Sequence, residues 1–121
     1  MDQIKERAVL AAMAAADKKA TDIVVMNVAE TLVVTDFFVI ASGNTAIQVR
    51  AIADEVEDRV RLEAGVKPIG REGTEEAKWV LLDFGDFVVH VFQPDEREFY
   101  RLEKLWNDAP RVELPGLETG A

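Results

Sequence analysis

Hydrophobic positions recur along this chain in different patterns, and each pattern predicts a different element. Near the start, apolar and small side chains return every three or four positions, which predicts an amphipathic helix. That stripe consists of Ile4, Ala8, Ala11, Ala12 and Ala15. Two later runs, 23–28 and 37–42, are apolar on both faces and rich in β-branched residues. Such runs are typical of interior strands that helices cover on at least one side.

The second helix has clear sequence signals at both ends. Thr45 and Gln48 have the spacing of a capping box, in which the two side chains bond to free backbone N–H groups. Gly65 is the residue type that commonly ends a helix. We therefore predict a helix from about Thr45 to Ala64, and its apolar face comprises Val49, Ile52, Ala53, Val56 and Val60.

A hairpin and a third helix are predicted in the second half. The segments 77–82 and 87–92 flank the sequence Asp-Phe-Gly-Asp, whose residues suit a tight turn. Pro68 confines a preceding short strand, 67–71, to the sheet edge. Asp95 and Glu98 then predict a capped last helix. Its apolar stripe is Phe99, Leu102, Leu105 and Trp106.

The element order α-β-β-α-β-β-β-α predicts an α/β fold with a mixed sheet of about five strands flanked by helices. A chain of 121 residues with 49% hydrophobic content suits one domain. Prolines and glycines accumulate after residue 109. We therefore expect a domain over residues 1–108 and a flexible C-terminal tail over 109–121.

Charge and composition restrict the function. The 23 acidic and 14 basic residues give a net charge of −9, and the basic residues are scattered along the sequence. This argues against broad nucleic-acid binding and favours a basic protein partner. The absence of cysteine excludes thiol catalysis and cysteine-based zinc sites, and it fits a reducing cytoplasm. We expect no cofactor and no metal.

A membrane location is also unexpected. The alanine-rich run of the first helix has about half the length that a bilayer requires. Signal peptides have apolar cores of similar length, but mixed charges flank this run, with Lys5, Glu6 and Arg7 before it. The pattern favours an amphipathic helix.

Three features invite a catalytic interpretation, and each has a simpler one. Asp83–Gly85 matches a kinase triplet only as letters, because the other kinase motifs are missing. His90, the only histidine, lies among apolar residues and is more typical of a buried, hydrogen-bonded side chain. The turn Ser42–Thr45 precedes a helix and could receive a phosphate, although it has a single glycine and no following lysine. It leaves open a nucleotide-binding or nucleotidyltransferase-like enzyme.

The strand that contains Trp79 is apolar on both faces. Trp79 and Leu81 point to one face, and Val80 and Leu82 point to the other. Either helices cover both faces, or Trp79 lies with a leucine in an exposed apolar patch. Tyr100, which is off the stripe of the last helix, is a candidate for a half-exposed contact.

Several motifs together resemble one family. The sequence resembles the ribosomal silencing factor family, also called Iojap-related, over residues 4–110. The segments that carry the resemblance are Thr35–Ile40, Ser42–Thr45, Gln48–Val49, Ala53–Asp54, Glu72–Gly73, Trp79–Asp83, Gly85–Asp86, Val89–Phe92 and Arg97–Trp106. Because these motifs occur in order, the resemblance is more specific than any one of them.

This resemblance implies a small α/β domain similar to the nucleotidyltransferase fold but without its catalytic acids. It also implies a homodimer when the chain is free, and binding to the large ribosomal subunit through ribosomal protein L-fourteen. That binding blocks joining of the small subunit and represses translation when nutrients are scarce. Such a factor is not an enzyme. Three surfaces are candidates for the dimer contact: the first helix, the edge strand near Ile69 and the outer face of the hairpin.

The resemblance and the composition of the hairpin together suggest a partner-binding face. In this hypothesis, the apolar anchor consists of Trp79, Leu81, Leu82 and Tyr100. Asp83 and Asp86 would contact basic side chains of the partner.

Overall fold

The structure, a computed structural model, describes residues 2–30, 32 and 34–116. Helices and strands follow one another in the order α1 Asp2–Asp17, β1 Thr21–Asn27, β2 Phe37–Ser42, α2 Ala46–Ala64, β3 Gly70–Glu72, β4 Trp79–Asp83, β5 Phe87–Phe92, α3 Pro94–Tyr100, α4 Leu102–Leu105 and β6 Arg111–Val112.

The strands form one mixed sheet in the order β3-β4-β5-β2-β1-β6. Among the described strands, β2 and β5 alone run parallel, because the chain between them crosses over through α2 and the β3–β4 pair. The predicted α/β class and mixed sheet are confirmed. All five predicted strands are present, and β6 is a sixth that the sequence did not predict.

Helices α1 and α2 cover one face of the sheet. The predicted stripes are confirmed, because the four alanines of the α1 stripe and the five apolar residues of the α2 stripe are fully buried. The cap of α2 is also confirmed, with the Gln48 amide donating to Thr45 Oγ1 at 3.1 Å. Gly65 ends the helix in the left-handed conformation, with a φ of 69°. The sheet and these helices therefore form the larger core.

The opposite face carries a smaller core, which α4 and the chain after it cover in part. Its buried members are Val24, Met26, Val28, Phe38, Ile40, Phe92 and Leu102. Leu32 and Trp106 pack against its rim. Leu32 thus adds to this core from the connection between β1 and β2, and Val33 lies outside the described residues.

The last helix differs from its prediction in two ways. Gln93, not Asp95, occupies the N-cap position, it makes no side-chain bond there, and Pro94 begins the helix. The helix then breaks at Arg101, whose φ of 46° is left-handed. Because of this break, Leu102 is buried, but Phe99 and Leu105 are 80% and 68% exposed. The continuous apolar stripe was therefore wrong.

The chain after residue 108, which was predicted to be a flexible tail, first adds a strand to the sheet. Strand β6 pairs antiparallel with β1, with Val112 opposite Val25. The Asn27 amide also donates to the Pro110 carbonyl at 2.8 Å, and Leu114 is buried in the larger core. These bonds satisfy an otherwise open edge of β1. The domain thus includes Arg111–Leu114, and residues 117–121 of the predicted tail lie outside the described part of the chain.

Candidate protein-binding surface

Strand β4 aligns three of the predicted site residues on the face opposite α1 and α2. Trp79, Leu81 and Asp83 alternate along it and pair with Phe92, His90 and Val88 of β5. Their Cα atoms span about 13 Å, given the rise per residue of a strand. The hairpin turn is held by Gly85, whose amide donates to Asp83 Oδ1 at 2.8 Å. The predicted hairpin is therefore confirmed.

Aromatic rings form a continuous row across this face. The ring centroids of Phe99 and Tyr100 lie 5.0 Å apart, and those of Tyr100 and Trp79 lie 4.7 Å apart. The row continues from Trp79 to His90 at 5.9 Å and from His90 to Phe38 at 4.8 Å. It runs from exposed to buried, because Tyr100 is 45% exposed, Trp79 is half-buried and Phe38 is buried. Its outer end presents large rings to solvent on a rigid support.

His90 fixes the position of the Trp79 indole. Trp79 Nε1 donates a hydrogen bond of 3.1 Å to His90 Nδ1. Nδ1 must therefore be unprotonated, which puts the imidazole proton on Nε2, a buried atom with no partner among the described residues. Burial lowers the pKa of His90 from 6.5 to about 4. His90 is consequently a neutral acceptor at physiological pH, and the predicted buried, hydrogen-bonded role is confirmed.

The lowered pKa of His90 makes a testable contribution to stability. Because its native pKa lies below that of the unfolded chain, this contribution is complete above pH 6.5 and is lost as the pH falls from 6.5 to about 4. The full loss corresponds to about 3 kcal/mol. We expect the wild-type chain to lose more unfolding free energy over this window than His90→Gln, which does not titrate. Urea denaturation at a series of pH values measures this difference.

Groups that both proteins share contribute equally and cancel in the comparison of the wild type with His90→Gln. A difference in unfolding free energy that stays constant from pH 7 to about pH 4 would contradict the assignment of a neutral, buried His90.

The structure separates the six predicted site residues into two groups. Trp79, Leu81 and Tyr100 lie together on the open face, with Asp83 half-buried on the same strand and Asp86 exposed at the turn. Leu82 does not belong with them. It faces α1 and α2 and is fully buried in the larger core, so no partner can contact it, and its inclusion is corrected. We use the name β4 surface for Trp79, Leu81, Asp83, Asp86, Phe99 and Tyr100.

Phe99 is the member of the β4 surface that the sequence did not predict. Helical spacing placed it on the buried stripe of the last helix. The break at Arg101 changes which side chains of that helix point to solvent. Arginine gives no local signal for a left-handed residue.

Two backbone donors of the Ser42–Thr45 turn form hydrogen bonds within the fold. The Gly43 amide donates to the Phe92 carbonyl at 2.9 Å, and the Asn44 amide donates to Gln48 Oε1 at 2.7 Å. A Cβ on Gly43 would lie 3.0 Å from the end of the Ile52 side chain and 3.2 Å from the Val49 amide nitrogen, so glycine allows the turn to pack closely against α2. The turn is thus explained by the fold, and these contacts give the nucleotide-binding alternative no support.

Ser42 and His90, which were considered for catalysis, form hydrogen bonds with different partners. Ser42 Oγ accepts from Arg97, whereas His90 accepts from Trp79. Within the described ranges, no three histidine or carboxylate side chains are grouped in a way that could hold a metal ion. No helix of the described chain combines the length and hydrophobicity needed to cross a membrane.

Comparison with known proteins gives a consistent result. A family model described as "Ribosomal silencing factor during starvation" matches residues 1–121. A protein of Halalkalibacterium halodurans named ribosomal silencing factor is 51% identical over 108 residues, which cover 89% of this chain and 92% of that protein. Its Bacillus subtilis counterpart is 49% identical over 105 residues, covering 87% and 88% of the two chains.

Solved structures agree with the sequence relatives. The crystal structure of a Chromobacterium violaceum protein superposes with a TM-score of 0.83 at 36% sequence identity, covering 98% of this chain and 94% of that one. The motifs, the fold and the relatives lead to one conclusion: this chain belongs to the ribosomal silencing factor family.

Proposed function

We propose that this chain binds the large ribosomal subunit through ribosomal protein L-fourteen and, by its bulk, prevents the small subunit from joining. Translation would fall as a result when nutrients are scarce. Membership of the ribosomal silencing factor family supports a regulatory role at the ribosome. The proposed mechanism is steric occupation of a surface, which needs binding energy but no chemical step.

The observation that carries the proposal is the close, tilted contact between the rings of Tyr100 and a half-exposed Trp79, which lies beside carboxylates. Tryptophan and tyrosine are enriched among the residues that dominate protein–protein binding energy. Here Trp79 is held by its bond to His90 and by Tyr100, so little side-chain freedom remains to be lost on binding. The β4 surface is therefore pre-organised for binding in the free protein.

Charge makes a basic protein the natural partner for this surface. Asp83 and Asp86 lie at the turn end of the β4 surface, and the whole chain carries a net charge of −9. Ribosomal proteins are typically basic, so the two fields would be complementary and would speed encounter. The attraction is screened by salt, because the Debye length falls to about 3 Å at 1 M ionic strength.

The proposal includes a homodimer in the cytoplasm when the chain is free. A dimer that buried Trp79 and Tyr100 would compete with the ribosome, whereas one formed through another surface would not. Analytical ultracentrifugation of wild-type and Trp79→Ala chains distinguishes the two arrangements.

Sedimentation with separated ribosomal subunits tests the proposed binding. We expect the chain to migrate with the large subunit and to remain at the top of the gradient with the small subunit. Association with large subunits that lack ribosomal protein L-fourteen, at the same level as with complete ones, would contradict the proposed contact.

A further inference from the structure

A groove lies where the two parallel strands of the sheet end. From β2 the chain turns into α2 on one face, and from β5 it turns into α3 on the other. Neighbouring parallel strands whose helices leave to opposite faces create a crevice at their carboxyl ends, which is the usual place for ligands in open α/β sheets. Ser42 is the last residue of β2 at this point, and Arg97 of α3 lies over it.

The fold gathers basic side chains in this groove that are dispersed in the sequence. The groove has a volume of about 550 Å³, and its lining includes Arg97, Arg101, Lys104 and Arg111. These four are a large share of the 14 basic residues in a chain whose net charge is −9. The sequence alone indicated no basic patch, because Arg111 reaches this site only through the pairing of β6 with β1.

Two of the four cations are already neutralised. Arg97 bonds to Glu103 Oε2 through Nε and Nη2, at 3.1 and 2.9 Å, and Arg101 pairs with Glu98. Lys104 and Arg111 form no ion pair with any residue that the structure describes. With Asp22 as the third carboxylate of the lining, the groove has four positive and three negative side chains. It is therefore locally positive in an acidic protein.

Ser42 adds a donor at the floor of the groove. Arg97 Nη1 donates to Ser42 Oγ at 2.8 Å, so the hydroxyl oxygen is used as an acceptor and its proton can be donated elsewhere. The Arg97 side chain is only 10% exposed and is fixed by three hydrogen bonds. Ser42 is thus held in place by an ordered guanidinium.

We propose that this groove binds a phosphate group, with Lys104 and Arg111 supplying the charge and the Ser42 hydroxyl donating a hydrogen bond. Both cations form strong charge-assisted bonds to phosphate oxygens. The volume lies within the range of about 300–1,000 Å³ that is usual for small-molecule sites, so the phosphate can carry an organic group. A free small molecule and an RNA backbone are the two sources of such a phosphate. The site is separate from the β4 surface and does not depend on the proposed function.

Titration of the full-length, isotopically labelled chain, followed by amide NMR, tests the proposal. Sodium pyrophosphate and a short oligouridine are added in separate experiments, and sodium chloride of equal ionic strength is the control. We expect pyrophosphate to shift the amide signals around Ser42, Arg97 and Arg111 and chloride to leave them unchanged. Each of Lys104→Gln and Arg111→Gln is expected to weaken binding about fivefold. Lys67→Gln, an exposed lysine near the opposite sheet edge, is expected to have no effect.

The outcomes separate the two sources and can overturn the proposal. Shifts with pyrophosphate show that a free phosphate compound is sufficient for binding. The same local shifts with oligouridine but not with pyrophosphate assign the phosphate to RNA. Equal affinity in the wild type and in the Lys104→Gln Arg111→Gln double variant would overturn the proposal, as would shifts that chloride reproduces. Because Lys104 and Arg111 are exposed and form no ion pair among the described residues, these variants are expected to fold.

Discussion

Trp79→Ala is expected to weaken binding to ribosomal protein L-fourteen about thirtyfold or more, because removal of a desolvated tryptophan anchor costs on the order of 2 kcal/mol. The change removes the ring that contacts Tyr100 and connects the exposed end of the aromatic row to its buried end. Trp79→Phe retains an aromatic ring but loses the bond to His90, and we expect an intermediate loss. Isothermal titration calorimetry with the purified ribosomal protein measures both affinities.

The matched control for this variant is Leu62→Ala, which removes an exposed apolar side chain from α2 in the opposite layer. Its affinity should equal that of the wild type. A Trp79→Ala chain that remains folded and binds with wild-type affinity would show that the β4 surface is not the contact.

Gly73→Ala is expected to lower the free energy of unfolding by about 3 kcal/mol, from overpacking together with left-handed strain. Gly73 has a φ of 85°, and a Cβ added to it would lie 2.0 Å from the carbonyl oxygen of Trp79. Either the loop or the first residue of β4 has to move. Because the clash is with Trp79 itself, the variant is also expected to weaken partner binding.

Gly70→Ala is the control for this second variant. Gly70 begins the edge strand β3, and a Cβ added there meets no atom within 4 Å. Urea denaturation of both variants compares their unfolding free energies. Equal stability of Gly73→Ala and Gly70→Ala would contradict the close approach between the loop and Trp79.

The elements predicted from the sequence are those with local signals. The alanine stripe of α1, the cap of α2 at Thr45 and the turn at Gly85 each depend on residues within a few positions of one another. Their periodicity and turn chemistry are sufficient to place them. The fold class follows from the order of these elements, since the strands need a helix layer to cover them.

The missed elements depend on distant parts of the chain. Strand β6 has two residues, and it is a strand only because β1 offers it an open edge. The break at Arg101 has no glycine or asparagine to indicate it. Both features depend on tertiary contacts and have no local sequence signal.

The candidate site shows the same limit. Alternation along β4 predicted that Leu81 and Leu82 face opposite ways, but it could not say which face α1 and α2 cover. The structure puts Leu82 under those helices and leaves Leu81 with Trp79 on the open face. The basic groove could not be predicted either, because Lys104 and Arg111 come together through tertiary structure.

A subunit-joining assay tests the proposed function most directly. Purified large and small ribosomal subunits are mixed under joining conditions with wild-type, Trp79→Ala or Leu62→Ala chains and are separated on sucrose gradients. We expect the wild type and Leu62→Ala to reduce the peak of joined ribosomes and Trp79→Ala to leave it intact at the same concentration. A joined-ribosome peak that is unchanged by saturating wild-type chain would contradict the proposed function.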